Sequence, residues 1–289
     1  MNPAHLDLAA EDLASGKGST DENFPVASVL IAPRHRPVVL AFYRFARAAD
    51  DVSDSAVAEP ELKLALLETL RAGLAGESDD SPEGVGLRRA LGPLGVTPQH
   101  GFDLLEAFRR DVTKLRYADW DDLMDYCRYS ANPVGRFVLD VHGEDRALWP
   151  MNDALCSALQ VINHLQDCGK DRRDLDRVYI PLDVLTAAGL EPSVLDRPVA
   201  PPALRGVIVG LTQRTLALLD LSRPFARAVK DGRLALEIGV IQTLAEDLCK
   251  GLLARDPLSE NVHHAKSKMA GLAMLAMART SLSRLGGRR

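Results

Sequence analysis

The chain is short of the features that tie a protein to nucleic acid, to the secretory route or to a bilayer. Of its 289 residues, 35 are Lys or Arg and 40 are Asp or Glu, so the net charge is -5 and there is no global basic footprint for DNA or RNA. Cysteine is sparse: Cys127, Cys156, Cys168 and Cys249 stand far apart with no CxxC pair, which suits reduced core thiols and argues against a zinc site or a disulfide framework. Long apolar runs are missing, since MAGLAMLAMA from Met269 reaches only about half of the ~20 residues that a spanning helix needs. The opening MNPAHLDLAAEDLASGKGS mixes acids into its first turns and has no apolar signal core, so the expected compartment is the cytoplasm, with residues 1–20 a loosely ordered lead-in. A nicotinamide fingerprint is absent too: GVGLRR from Gly84 has Arg89 where the third glycine belongs, and no strand precedes it.

What is present is helical periodicity. Hydrophobic residues make up 46% of the chain, enough for a large core. They recur at helical spacing over residues 37–55, 61–74, 98–115, 119–141, 153–169, 204–221 and 234–253. Extended alternating runs do not occur. Breaks are expected at GESDDSPEGVG from Gly76, at GPLG from Gly92 and in the proline-bearing stretch 181–202. None is long or biased enough for a domain linker, and the pattern predicts one all-α domain covering residues 1–289.

Two acidic stretches stand out from this background. In ARAADDVSDSA from Ala46, Asp50 and Asp54 share a helix face one turn apart, with Asp51 beside them. Like charges at that spacing repel and call for a cation. Arg47 answers in part, and a hard divalent ion such as Mg²⁺ suits converging carboxylates; the alternative is a solvated acidic turn at the unfavourable end of the helix dipole. In ALQVINHLQDCGKD from Ala158, Gln160, Asn163, Asp167 and Asp171 form a second polar stripe at spacings of three and four. Two such helices can hold several Mg²⁺ ions, and those ions a diphosphate whose departure from an allylic carbon they promote. Between the stretches lie Arg116, Tyr117, Tyr126, Tyr129 and Arg136, whose aromatic faces can steady a carbocation and whose guanidinium and hydroxyl groups can grip phosphate oxygens.

Other candidates receive structural readings. DDLMD at Asp121–Asp125 also fits DDxxD, but it follows Asp119 at a helix start, where aspartates cap free N–H groups. His263 and His264 read as a solvated helix face, His35 as part of a basic loop, and His164 as a satisfied core histidine.

The pair DDVSD and NHLQDCGKD, with YCRYSANPVG between them, resembles the squalene and phytoene synthase family, the head-to-head prenyl-diphosphate enzymes. The resemblance runs from about Asn23 to Pro181 and weakly beyond. It implies an isoprenoid synthase fold around a central apolar cavity, isoprenoid diphosphate substrates, and Mg²⁺ held by Asp50, Asp54, Asp167 and Asp171 with Asp51 beside them. It also assigns Tyr43 and Arg47 to the diphosphate, Gln160 and Asn163 to polar cavity positions, and Arg177 with Tyr179 to the motif that trails the second aspartates. Gln166 stands where the family usually has arginine, His164 where it has a bulky apolar residue, and Asn132-Pro133 where it has a small residue and then threonine, alanine or valine.

These departures, with ENFPVAS from Glu22 and RFARAADDVSD from Arg44, resemble the hopanoid-pathway branch of the family. That branch handles presqualene diphosphate without a nicotinamide and quenches the final cation with water. Pro133 within a helix would free the Tyr129 carbonyl, which with the Asn132 amide would hold that water; a kink that merely shapes the cavity is the other reading. The general base would be released diphosphate or His164. Condensation of two farnesyl diphosphates and a non-catalytic family-like assembly role are the competing functions. The last stretch, KSKMAGLAMLAMARTSLSRLGGRR from Lys266, has six basic residues and no acid, so peripheral contact with an anionic inner membrane face is a further expectation, beside ordinary helix termination. The sequence leaves the oligomeric state unread.

Overall fold

Proline opens six of the thirteen α-helices among the described residues, because a residue without an N–H loses nothing in the first turn of a helix. The computed structural model describes residues 30–286, which form two compact units, one ending at Leu115 and the other beginning at Arg116. The lead-in 1–20, the ENFPVAS stretch and the final two arginines lie outside the described residues.

The first unit packs four helices: α1 (Arg36–Asp54), α2 (Pro60–Ala75), α3 (Pro82–Leu91) and α4 (Gln99–Thr113). In α1, Val38, Phe42, Phe45, Ala49 and Val52 recur at alternating steps of four and three and are buried, while the polar face ends in the acidic turn. Helix α2 ends at Gly76, whose φ of 84° is a left-handed cap that returns its N–H to the Ala72 carbonyl. Ser81 caps α3 by accepting from the Gly84 N–H at 3.0 Å. Glycine is required at 84, since a Cβ there would lie 2.7 Å from the Leu70 carbonyl oxygen.

The second unit is built around α7 (Trp149–Gln166), against which α5 (Trp120–Ser130), α6 (Asn132–His142), α10 (Pro202–Ser222) and α12 (Gly232–Ala254) pack. Three shorter helices, α8 (Cys168–Leu175), α9 (Leu182–Ala187) and α11 (Phe225–Ala228), connect these, and α13 (Lys266–Gly286) lies along α12. Gly135 lets α6 approach α7 closely, because a Cβ there would fall 1.9 Å from Asn152 Oδ1. The buried carboxylate of Glu144 ties the start of α12 by accepting from the N–H groups of Lys230 and Asp231 at 2.8 and 2.7 Å. All four cysteines are free thiols. Burial pushes Cys156, Cys168 and Cys249 up to about 12 and raises Cys127 as well.

The helical reading holds among the described residues, where the only strand-like feature is one isolated parallel bridge between Arg116 and Val178. Three boundaries differ from expectation. The break from Gly76 ends at Ser81, and Gly84 and Gly86 lie inside α3. The helix expected over 119–141 divides at Ala131 (φ -124°, ψ -47°), so Pro133 falls in the first turn of α6, where no N–H is missed. The helix expected over 153–169 ends at Gln166, and α8 restarts after Asp167 (φ -102°, ψ 9°). The hydrogen-bond ladder crosses that second break, with the Asp167 N–H on the Asn163 carbonyl at 2.9 Å and the Asp171 N–H on the Asp167 carbonyl at 2.8 Å.

Candidate functional site

The first acidic turn closes α1 with no basic residue in its last turn, the arrangement a helix dipole disfavours. Cations arrive from elsewhere in the unit. Arg47 sits one turn back, its Nη1 2.9 Å from Asp50 Oδ2 and its Nη2 2.6 Å from the buried Asp51 Oδ1. From α2, Lys63 Nζ donates to the Ser53 carbonyl at 3.1 Å. Ser53 Oγ lies 3.0 Å from the Asp50 carbonyl oxygen and 3.3 Å from Asp54 Oδ1.

This compensation is incomplete at Asp50. Enclosure and then the Asp54 charge push its carboxyl up to about 7; Arg47 pulls it down, while Asp51 and the buried Asp111 of α4 add to the rise. A carboxylate set with more negative charge than its enclosure supports has the donor chemistry for a further hard cation. Within either unit, no three His, Cys, Asp or Glu side chains among the described residues converge as a complete metal site. Arg47 pairs with both Asp50 and the buried Asp51, and Asp50 and Asp54, one turn apart and less buried, are the oxygen donors of this turn that fit an ion.

The second motif spans the junction of α7 and α8. His164 is its centre: Gln160 Nε2 lies 3.1 Å from His164 Nε2, and His164 Nδ1 lies 3.8 Å from Asp171 Oδ2. An amide N–H can only donate, so Nε2 accepts and the ring proton of a neutral His164 sits on Nδ1, toward Asp171. The Tyr179 ring stacks on the imidazole with centroids 3.5 Å apart and planes 13° apart. Tyr126 and Tyr117 continue the pile, each within 5.5 Å of the Tyr179 centroid.

The chain after α8 delivers Tyr179 to that place. Asp176 adopts φ 51°, a left-handed turn that asparagine and aspartate tolerate better than most residues, and its carboxylate receives Arg116 at 2.7 Å and Arg172. The Arg177 N–H then returns to the Asp171 carbonyl at 3.1 Å, and the Leu182 N–H reaches the Tyr117 carbonyl at 2.9 Å. Arg177 and Tyr179 are both buried.

Gln166 is 6% exposed, and neither its amide nitrogen nor its amide oxygen has a hydrogen-bond partner. Buried carboxamides are normally satisfied, so an idle one marks either stored cost or a binding function.

Several sequence readings are corrected here. Asn132 is buried, its Oδ1 accepts from Ser157 Oγ at 3.0 Å and its carbonyl oxygen lies 3.3 Å from Asn152 Nδ2, so its amide braces α6 against α7. Tyr129 lies in the last turn of α5 before the break, and its ring receives the Arg128 guanidinium at 5.7 Å. Arg136 is committed to the Asp153 carboxylate and to the face of Trp149 at 4.5 Å. His263 and His264 precede α13 and are not a solvated helix face: His264 is held 2.8 Å from Asp247, and His263 Nε2 lies 3.3 Å from Asp167 Oδ1. That hydrogen bond raises the His263 pKa against the opposing effect of burial. His35 is buried at the start of α1, where Arg34 Nε donates to it at 2.9 Å. The capping role of the third aspartate cluster holds, with Asp119 accepting from the Asp122 N–H at 2.9 Å.

Two site residues escaped sequence reasoning. Asp111 reaches the first acidic turn from another helix, and His263 reaches Asp167 from the far end of the second unit. Neither contact has a local pattern.

Comparison with known proteins agrees on one family. Residues 18–285 match the squalene/phytoene synthase family model. The hydroxysqualene synthase of Zymomonas mobilis subsp. mobilis is 56% identical over 94% of this chain and 92% of its own. That of Rhodopseudomonas palustris is 54% identical over 88% and 87%. Among solved structures, the squalene synthase HpnC from Alicyclobacillus acidocaldarius has a TM-score of 0.70 and 34% identity, covering 85% of this chain and 90% of its own. A dehydrosqualene synthase at 21% identity and TM-score 0.75, covering 90% and 92%, shares the fold.

Proposed function

Because the chain belongs to the squalene/phytoene synthase family, we propose that it is a hydroxysqualene synthase, converting presqualene diphosphate and water to hydroxysqualene and diphosphate with Mg²⁺ as cofactor. The likeness to two hydroxysqualene synthases over most of the chain carries this reading. The family match extends across both units and supports their working as one synthase domain.

Asp50 and Asp54 of the first motif and Asp167 and Asp171 of the second are the residues that would hold Mg²⁺, with Asp51 keeping Arg47 in place. When bound, Mg²⁺ neutralises the charge that develops on the departing diphosphate. Arg47, fixed by two carboxylates, gives the first motif its permanent positive charge, and Tyr43 stands one turn before it on the same helix. Gln160, Asn163 and Arg177 line the second motif as polar contacts to substrate. The stacked rings of Tyr179 and Tyr126 offer electron-rich faces to the rearranging cation. Water then adds to the cation, and the proton released goes to the departed diphosphate; His164 Nε2, which accepts from Gln160 at 3.1 Å, could take it only once that amide turns away. Asn132 and Tyr129 act through the α5–α6 break that they frame. A thirty-carbon alcohol has no stable place in water, so peripheral contact with a membrane through the C-terminus belongs to the same reading.

The test is a mass spectrum of the lipid extract after purified protein is incubated with presqualene diphosphate and Mg²⁺. Hydroxysqualene is expected, with no product when EDTA replaces Mg²⁺ and none from farnesyl diphosphate alone. A condensation product from farnesyl diphosphate would assign the chain to the first half of the head-to-head sequence instead.

A further inference from the structure

Helix α13 inverts the usual order of an outer helix. Its inward side is fixed. Ala276 and Thr280 are buried, Thr280 occupies the space left by Gly239 of α12, and Arg284 donates to the carbonyls of Ala226 and Val229 at 2.9 and 2.8 Å. The side turned to solvent should therefore be polar. It is not: at 100° per residue, Gly271, Met274, Leu275, Ala278, Leu282 and Leu285 fall within one outward arc, interrupted only by Ser267. Met274, Leu275, Leu282 and Leu285 are 65%, 44%, 70% and 68% exposed, four of the most exposed large apolar side chains among the described residues.

Charge completes the pattern. The 21 residues of α13 include Lys266, Lys268, Arg279 and Arg284 and no acid, in a chain of net charge -5. Lys268 and Arg279 border one edge of the apolar arc and both are exposed; Lys268 is also paired with Asp247 of α12 at 2.6 Å, so Arg279 is the cation this edge offers outward. No helix among the described residues is long and apolar enough to cross a membrane. An apolar stripe edged by cations, on a helix too polar to span, is the composition of a segment that lies in the plane of an interface. A second copy of this chain fits the face less well, since it would bring the same cations against one another.

We propose that the outward face of α13 docks on an anionic lipid bilayer, its leucines and Met274 sinking below the headgroups while Arg279 meets the lipid phosphates. The geometry stands without the reaction assigned above, though a membrane-soluble product gives the docking a purpose.

Vesicle co-sedimentation of the full chain tests this. With phosphatidylcholine vesicles containing about 30% phosphatidylglycerol, pelleting is expected to exceed that on phosphatidylcholine alone by about tenfold and to weaken in high salt. Leu282→Ser with Leu285→Ser, and separately Arg279→Glu, are expected to lower it about tenfold while circular dichroism and turnover on detergent-dispersed substrate stay unchanged. Leu282→Trp supplies a gain of signal: its fluorescence shifts to the blue on anionic vesicles only. Equal pelleting of the variants, no pelleting of the parent, or a concentration-dependent dimer that the leucine variants abolish would each overturn the proposal. Turnover in detergent reads the catalytic assignment separately, so failure of one is distinguishable from failure of the other.

Discussion

His263 Nε2 rests 3.3 Å from Asp167 Oδ1, so a histidine from the segment before α13 guards a carboxylate of the second aspartate motif. The contact raises the His263 pKa, and its stabilisation is complete below the ordinary value of 6.5 and lost as pH rises through the raised folded value. The pair is about one-third exposed on each side, which limits its worth. Thermal melts of His263→Ala and the parent are expected to differ by about 1–3 °C at pH 5.5 and to coincide at pH 9. A difference that grows with pH would contradict the sign.

Asp50 gives a dependence of the same sign, but as a cost at high pH rather than a gain at low pH. Its carboxyl is raised to about 7, so between the ordinary range near 3.8 and about 7 the folded protein keeps a proton that the unfolded chain releases. Stability contributed by this group therefore falls as pH rises through that interval. In metal-free protein, Asp50→Asn is expected to melt higher than the parent at pH 8 and level with it at pH 4. Turnover with Mg²⁺ is expected to drop about 100-fold or more, since on the proposed reading the variant lacks one of the carboxylates that would hold the cation. A melt unaffected at both pH values would show that Asp50 is not charge-stressed.

The packing of α6 on α7 supplies a third prediction. Gly135→Ala would drive a methyl into Asn152 Oδ1, and a loss of about 1–3 kcal/mol in urea unfolding is expected. Asn132→Ala strands Ser157 Oγ in a buried place and is expected to cost about 1–3 kcal/mol, with the ratio of alcohol to other products unchanged. A changed ratio at unchanged stability would restore Asn132 to the role of water carrier.

Gln166 can be assayed by removing its polarity. Gln166→Met keeps the volume and discards a buried amide without partners, so a higher melting temperature is expected, by a few degrees. Turnover in the same preparation separates the two readings of the idle carboxamide: a fall of about tenfold is expected for one that binds a ligand and no change for one that is only a stored cost. A melt that is lowered would mean that the amide is satisfied in solution.

Sequence periodicity revealed the long helices because each buries one continuous stripe: the four-three steps of α1 predict its buried face residue by residue. It missed α3, whose glycines look like loop and are inside a helix because the Leu70 carbonyl leaves no space for a side chain at 84. Pro133 carried the right signal for a break, and its meaning depended on whether a helix was already running when it arrived. The aspartates were legible as pairs at i,i+4. Their environment was not: Asp111 acts on Asp50 from α4, Tyr179 covers His164 through a left-handed turn at Asp176, and His263 reaches Asp167 from the segment before α13. Those contacts are made by tertiary folding and leave no trace in local spacing.

The four thiols have a practical corollary. With every native sulfhydryl held back from ionising, the chain is expected to react slowly with maleimides and other thiolate-seeking reagents. A single cysteine placed on an exposed position would then be the one handle that reacts, so spin or fluorophore reporters can be attached without first stripping the core of its own sulfur.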